Sequence, residues 1–167
     1  RALINHFSDD PRFDLARCGV TGLSMGGYAS FSAFAHIPAL RAAVPMIGIP
    51  CFLRRWTDLL DETAYSNPAW AQALSQVAEQ TAQHTAFVKR IDPYPKLSDA
   101  APRPLLIMNC DYDHDQPKLY AIETYRQLLP HYAEAPDSLR LRIYPAGHEV
   151  TDQMRFDAVN WFRTHLF

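Results

Sequence analysis

The stretch Gly22-Leu-Ser24-Met-Gly26, with Gly27 behind it, constrains this chain more than any other part of its sequence. G-x-S-x-G is the spacing of a nucleophile elbow, in which a serine stands proud of a sharp strand-to-helix turn. The turn strains the backbone at Ser24, and glycines two before and two after it avoid a collision of side chains across the turn. Five matching residues are weak evidence alone, so the surroundings carry the weight. Arg17-Cys-Gly-Val-Thr-Gly22 reads as a strand, and Met25 to His36 as a helix of small and aromatic residues stopped before Pro38. That is the context the motif requires. A glycine-rich turn used only for packing or phosphate binding is the competing reading.

A serine alone is inert, so an acid and a base must follow. Pro104-Leu-Leu-Ile-Met-Asn-Cys110 is a continuous apolar run that suits a strand buried on both faces. Directly after it stand Asp111, Asp113 and Asp115 in one turn, and any of the three can serve as the acid. Leu139 to Tyr144 alternates as a half-exposed edge strand, then Pro145-Ala-Gly-His148 presents a base. A final helix places Val150, Met154, Ala158, Trp161, Phe162 and His165 on one face. Three loops at the carboxyl ends of parallel strands converge on one sheet edge, where α/β proteins place their sites. Met25, opening the helix, offers its N–H to an oxyanion. The Asp111-x-Asp113-x-Asp115 spacing imitates a calcium loop, but Gln116 stands where glycine is needed and Ile122 where a bidentate glutamate is needed. No metal or other cofactor is expected.

The remaining pattern alternates strands and helices, which argues for a parallel α/β sheet of about four strands. Ala42 to Gly48 is a further strand, although Pro45 inside it cannot donate to a ladder. Residues 51–100 lack glycine and a clear strand and hold two of the three tryptophans. Asn67-Pro68 starts a helix there, with Trp70, Leu74, Val77, Ala78, Thr81, Thr85 and Val88 at 3.6-type spacing to about Arg90. The chain thus divides into 1–50 with the elbow, a helical insertion over 51–100, and 101–167 with the acid and base. Trp56, Tyr65 and Trp70 in the insertion read first as core and second as substrate contacts.

Composition excludes several classes. The 167 residues carry a net charge of −2, without the basic excess of a nucleic-acid surface or an apolar run long enough for a membrane span. Cys18, Cys51 and Cys110 are too few and scattered for a disulfide framework, so reduced thiols and a cytoplasmic location are expected. Cys18 reads as buried in its strand, and Cys110 as a residue able to line the site. His36 reads as a helix C-terminal cap and His84 as surface, while His6, His114, His131 and His165 have no partner pattern.

The segments Arg17 to Gly27, Arg103 to Pro117 and Pro145 to His148, in that order, resemble the α/β-hydrolase superfamily. The resemblance is strongest to bacterial serine carboxylesterases of the dienelactone-hydrolase and prolyl-oligopeptidase-like branch. That family writes its acid loop as strand, glycine, two variable residues, aspartate, and proline four residues on. The resemblance therefore favours Asp113 as the acid, with Cys110 in place of the usual glycine. It implies a Ser24–His148–Asp113 triad that cleaves carboxylic esters through an acyl-enzyme, on a small-molecule acyl ester substrate. A peptidase, thioesterase or acyltransferase would use the same triad. From another class, an inactive fragment or interaction domain would keep it without a complete oxyanion hole. Since the family's elbow follows the fifth strand of eight, the chain is expected to be a C-terminal half. The missing half, or a homodimer mate, is then its expected partner.

Overall fold

The computed structural model describes residues 2–66, 69, 72 and 78–167. Four strands, β1 (Gly19–Leu23), β2 (Ala42–Met46), β3 (Leu105–Cys110) and β4 (Leu139–Tyr144), form one parallel sheet in the order β1-β2-β3-β4. Among the described residues, six α-helices surround or adjoin it: α1 (Ala2–His6), α2 (Met25–His36), α3 (Phe52–Ser66), α4 (Ala78–Ile91), α5 (Lys118–Leu128) and α6 (Asp152–Leu166). Among the described residues, no helix is long and apolar enough to cross a membrane.

The period-2 geometry of a strand sends alternate side chains to opposite layers. Leu105 and Ile107 pack with Phe31 and Phe34 of α2 and Leu128 of α5. Leu106, Met108 and Cys110 pack with Met154, Ala158 and Trp161 of α6 on the other face. Both faces are covered, so every residue of β2 and β3 is buried, the polar Asn109 of β3 included. β4 is paired on one side only and keeps the half-exposed pattern of an edge. Thr151 starts α6 by accepting from the Met154 N–H at 3.2 Å.

Pro45 lies in an interior strand, between β1 and β3. The Ala43 N–H donates to Pro104 O and the Ile47 N–H to Met108 O, so odd-numbered residues of β2 face β3. Pro45 is the odd residue between them, and the β2–β3 pairing holds at Ala43↔Leu105 and Met46↔Met108 on either side of it. The sheet tolerates a single missing donor because its neighbours keep theirs. Cys18 departs from expectation: it precedes β1 and is half-buried.

Between β2 and β3 the chain runs through α3 and α4, neither of which joins the sheet. The expected helix start at Asn67-Pro68 and the side chains of Tyr65 and Trp70 lie outside the described residues. α3 is a helix the sequence pattern did not single out. Asp92, just after α4, accepts from the Phe52 and Leu53 N–H groups at 3.1 and 3.0 Å, capping the first turn of α3 from a distance. One carboxylate thereby ties the entry of this segment to its exit. Further ties run to the rest of the molecule: the Tyr120 hydroxyl donates to Asp58 at 2.5 Å, and Arg54 pairs with Glu123.

Candidate active site

Ser24 sits between β1 and α2 with φ 54° and ψ −112°, a left-handed conformation that costs a non-glycine residue energy. The turn is fixed from both sides, by the Ser24 N–H on Met46 O at 3.0 Å and by the Tyr28 N–H on Ser24 O at 3.0 Å. Gly22 is required as expected, since a Cβ there would lie 2.5 Å from Gly26 O. Gly26 is not: a Cβ at that position meets nothing within 4 Å, which corrects the expected collision on that side of the elbow. The tight contact instead joins Gly27 to the loop after β2. A Cβ on Gly27 would come within 2.5 Å of Met46 O, and one on Gly48 within 2.6 Å of the Gly27 carbonyl carbon. Between these contacts Ile47, fully buried and β-branched, is held at φ 51°. Strain at Ser24 and Ile47 is thus stored in two adjacent turns that brace each other.

His148 reaches this turn from the loop after β4. Its Nε2 lies 3.0 Å from Ser24 Oγ, and its Nδ1 lies 2.8 Å from Asp113 Oδ2. The Asp113 side chain is fully buried, whereas that of His148 remains 34% exposed. The other Asp113 oxygen accepts from the backbone N–H groups of Asp115 and Gln116, both at 2.9 Å. These bonds hold the carboxylate in one orientation, aimed at the imidazole. Asp111 is turned away and pairs with Lys118. Asp115 places an oxygen within 4.8 Å of donors from Asp113 and His148, but both His148 nitrogens already face Asp113 and Ser24. Of the three aspartates left open by the loop's spacing, Asp113 is the one in contact with His148.

A cavity of about 470 Å³ opens beside the serine. Ser24, Met25 and Tyr28 form its floor, and Phe52, Trp56, Leu59 and Ile91 from α3 and α4 form an apolar wall. Met25 is 81% exposed, and its N–H belongs to the first turn of α2, where helix donors lack intrahelical acceptors. Two of the lining residues are ones that sequence reasoning missed. The Tyr28 hydroxyl donates to Gln116 Oε1 at 2.7 Å, linking the elbow helix to the acid loop, and its ring packs 5.1 Å from that of Phe52. Arg55 is the second, a cation in a mostly apolar wall. Burial works against its charge, but the Glu62 carboxylate and the hydroxyls of Tyr120 and Tyr28 outweigh this and raise its pKa.

Trp56, expected first as a core residue, lines the cavity, with its indole N–H donating to Thr85 Oγ1 at 2.9 Å. Cys110, expected as able to line the site, packs in the core beside Met154. Burial raises the pKa of both buried thiols, that of Cys51 to about 12, so they stay protonated and weakly nucleophilic near neutral pH. His36 behaves as the expected cap, its Nδ1 lying 2.8 Å from Ser32 O. His165 does have a partner, the Trp161 ring at 4.2 Å.

The parallel sheet, the strand-to-helix serine turn and the order serine, aspartate, histidine define an α/β-hydrolase fold. Solved structures agree. The chain superimposes on Pyrococcus horikoshii acylaminoacyl peptidase (TM-score 0.69, 16% identity, 98% of this chain and 26% of that one). It also superimposes on a glucuronoyl esterase from Solibacter usitatus (TM-score 0.70, 15% identity, 99% and 47%) and on the Pyrococcus furiosus esterase Pf2001 (TM-score 0.66, 15% identity, 99% and 60%). At 15–16% identity, what these neighbours share with the chain is the fold. Among curated proteins, the chain is 26% identical over 173 residues to the "Putative esterase YitV" of Bacillus subtilis (strain 168). That alignment takes in 98% of this chain and spans 63% of the relative's length. No family model matches the sequence.

Proposed function

We propose that this chain carries the nucleophile, acid and base of a serine hydrolase acting on carboxylic esters. The observation that supports this most is the continuous relay Asp113–His148–Ser24, with links of 2.8 and 3.0 Å ending on a serine in a strained turn. In this reading His148 Nε2 takes the Ser24 proton as Oγ attacks the ester carbonyl carbon, and Asp113 stabilises the imidazolium through Nδ1–H. The Met25 N–H faces the developing oxyanion. Collapse of the tetrahedral intermediate expels the alcohol, which leaves with the proton from His148. Water, deprotonated in turn by His148, then releases the carboxylic acid and restores Ser24. The segment over residues 51–100 acts as a cap whose aromatic wall receives an apolar limb of the ester.

A fluorophosphonate probe tests the nucleophile on the full-length protein. Intact-mass analysis is expected to show one adduct, mapped to Ser24 by peptide sequencing and absent from Ser24→Ala. Labelling that persists undiminished in Ser24→Ala would overturn the assignment. A substrate panel tests the reaction class: esters are expected to turn over faster than thioesters or peptides.

A further inference from the structure

Arg55 is out of place in the cavity wall. Its side chain is only 16% exposed, and it lines the same cavity as Ser24 among Phe52, Trp56 and Leu59. Placing a guanidinium in such surroundings is costly unless its charge is used. Its carboxylate partner, Glu62, contacts a single nitrogen, Nη1, at 3.2 Å and is itself 60% exposed. A one-point pair with a solvated carboxylate is weak and readily exchanged. A guanidinium presents five donors in a planar fork that matches a carboxylate bidentately. Tyr120 shares a hydrogen bond with it and Tyr28 lies near enough to feel its charge, but neither brings a negative charge of its own at neutral pH.

Resting on the serine-hydrolase reading above, we infer that Arg55 is a specificity-determining residue that binds a carboxylate carried by the substrate. The preferred substrates are then esters with an acidic group on the limb that enters the cavity, the rest of that limb lying against the aromatic wall. Glu62 holds the fork while the cavity is empty and yields it when the substrate carboxylate arrives. The chemistry at Ser24 is unchanged, because Arg55 acts on binding and orientation rather than on the reacting atoms.

Paired esters test this in the full-length protein. 4-Nitrophenyl hydrogen glutarate against 4-nitrophenyl valerate places the carboxylate on the acyl limb, and 4-carboxyphenyl butyrate against phenyl butyrate places it on the alcohol limb. The wild type is expected to favour the acidic member of at least one pair in kcat/KM. Arg55→Gln is expected to lower that acidic-to-neutral ratio by about tenfold, the scale of one charge-assisted hydrogen bond, with Arg55→Lys falling between. Glu62→Gln, which removes the competitor and leaves the cation, is expected to lower KM for the acidic ester. Acidic-to-neutral ratios unaltered by all three substitutions, or a wild type that prefers the neutral member of both pairs, would overturn the assignment of Arg55. Absence of hydrolysis of any ester together with absence of Ser24 labelling would instead overturn the reading on which it rests.

Discussion

Every residue of β2 and β3 is buried, whereas no described side chain of α3 or α4 is. The sheet is held by apolar layers on both faces and by glycine contacts too close for a Cβ. The segment carrying α3 and α4 is held by polar ties: Asp92 on the first turn of α3, Tyr120 on Asp58, Arg54 on Glu123, and Trp56 on Thr85. Close packing tolerates no displacement, while a few half-buried hydrogen bonds at the surface of the segment open at lower cost. The relay of Ser24, His148 and Asp113 lies wholly on loops of the sheet, and much of the cavity wall lies on the segment. Damage to the first region should therefore appear in kcat and global stability, and damage to the second in KM and local opening.

The largest expected effect breaks the relay without touching the packing. Asp113→Asn keeps the shape of the side chain but removes the charge that faces His148 and favours the wrong imidazole tautomer. A fall in kcat of about 10⁴-fold is expected, with KM little altered and the melting temperature nearly unchanged. Steady-state kinetics alongside calorimetry would check it. A kcat within tenfold of wild type would mean that the chemistry does not run through this relay.

Next in size is the glycine contact. Gly27→Val places its Cβ where Met46 O and Gly48 already stand, and neither backbone can give way without moving the strained Ile47. A cost of about 3 kcal/mol is expected, which lowers the melting temperature by roughly 6–12 °C for a chain of this size. Gly26→Ala provides the contrast, since its Cβ meets nothing within 4 Å. Its melting temperature should stay close to that of wild type. Equal destabilisation by the two substitutions would erase the distinction drawn between these neighbouring glycines.

How much of this was legible in the sequence follows the same division. β3, α2, the elbow and the loop positions of Ser24 and His148 were readable because local periodicity and fixed loop positions encode them. Asp113 could be separated from Asp111 and Asp115 only through resemblance, because what selects it is the His148 ring arriving from thirty-five residues away. Gly48 carried no sequence signal, since its partner Gly27 becomes a neighbour only when the sheet forms. The polar ties were equally hidden: Asp92 caps a helix that begins forty residues earlier. Arg103 likewise donates to the Phe34 carbonyl in the last turn of α2 and to the Leu40 carbonyl in the connection before β2, at 2.8 and 2.7 Å. Such bonds join groups that no local pattern relates.

Asp92→Ala probes the segment at that tie. It leaves the Phe52 and Leu53 N–H groups without their cap, a loss of about 1–2 kcal/mol confined to the helical segment. Hydrogen exchange should accelerate in α3 and stay slow in β2 and β3. KM should rise severalfold while kcat remains within about twofold, because the relay does not pass through this region. A uniform loss of protection across sheet and segment would show that the two regions open as one unit.

The smallest effect belongs to the seam between the regions. Tyr28 stands on the elbow helix, touches Phe52 of the segment with its ring and donates its hydroxyl to Gln116 of the acid loop. Burial raises its pKa above the ordinary tyrosine value, so the hydroxyl remains a protonated donor throughout the neutral and mildly alkaline range. Tyr28→Phe preserves the ring contact and removes only this bond, worth about 1 kcal/mol, so kcat/KM should fall by no more than about fivefold. The ratio of wild-type to variant activity should also stay constant from pH 7 to about pH 9.5, since ionisation of the hydroxyl lies above that window. A ratio that narrows as the pH rises through this range would mean the hydroxyl is losing its proton there, and the seam would then be open to water rather than packed.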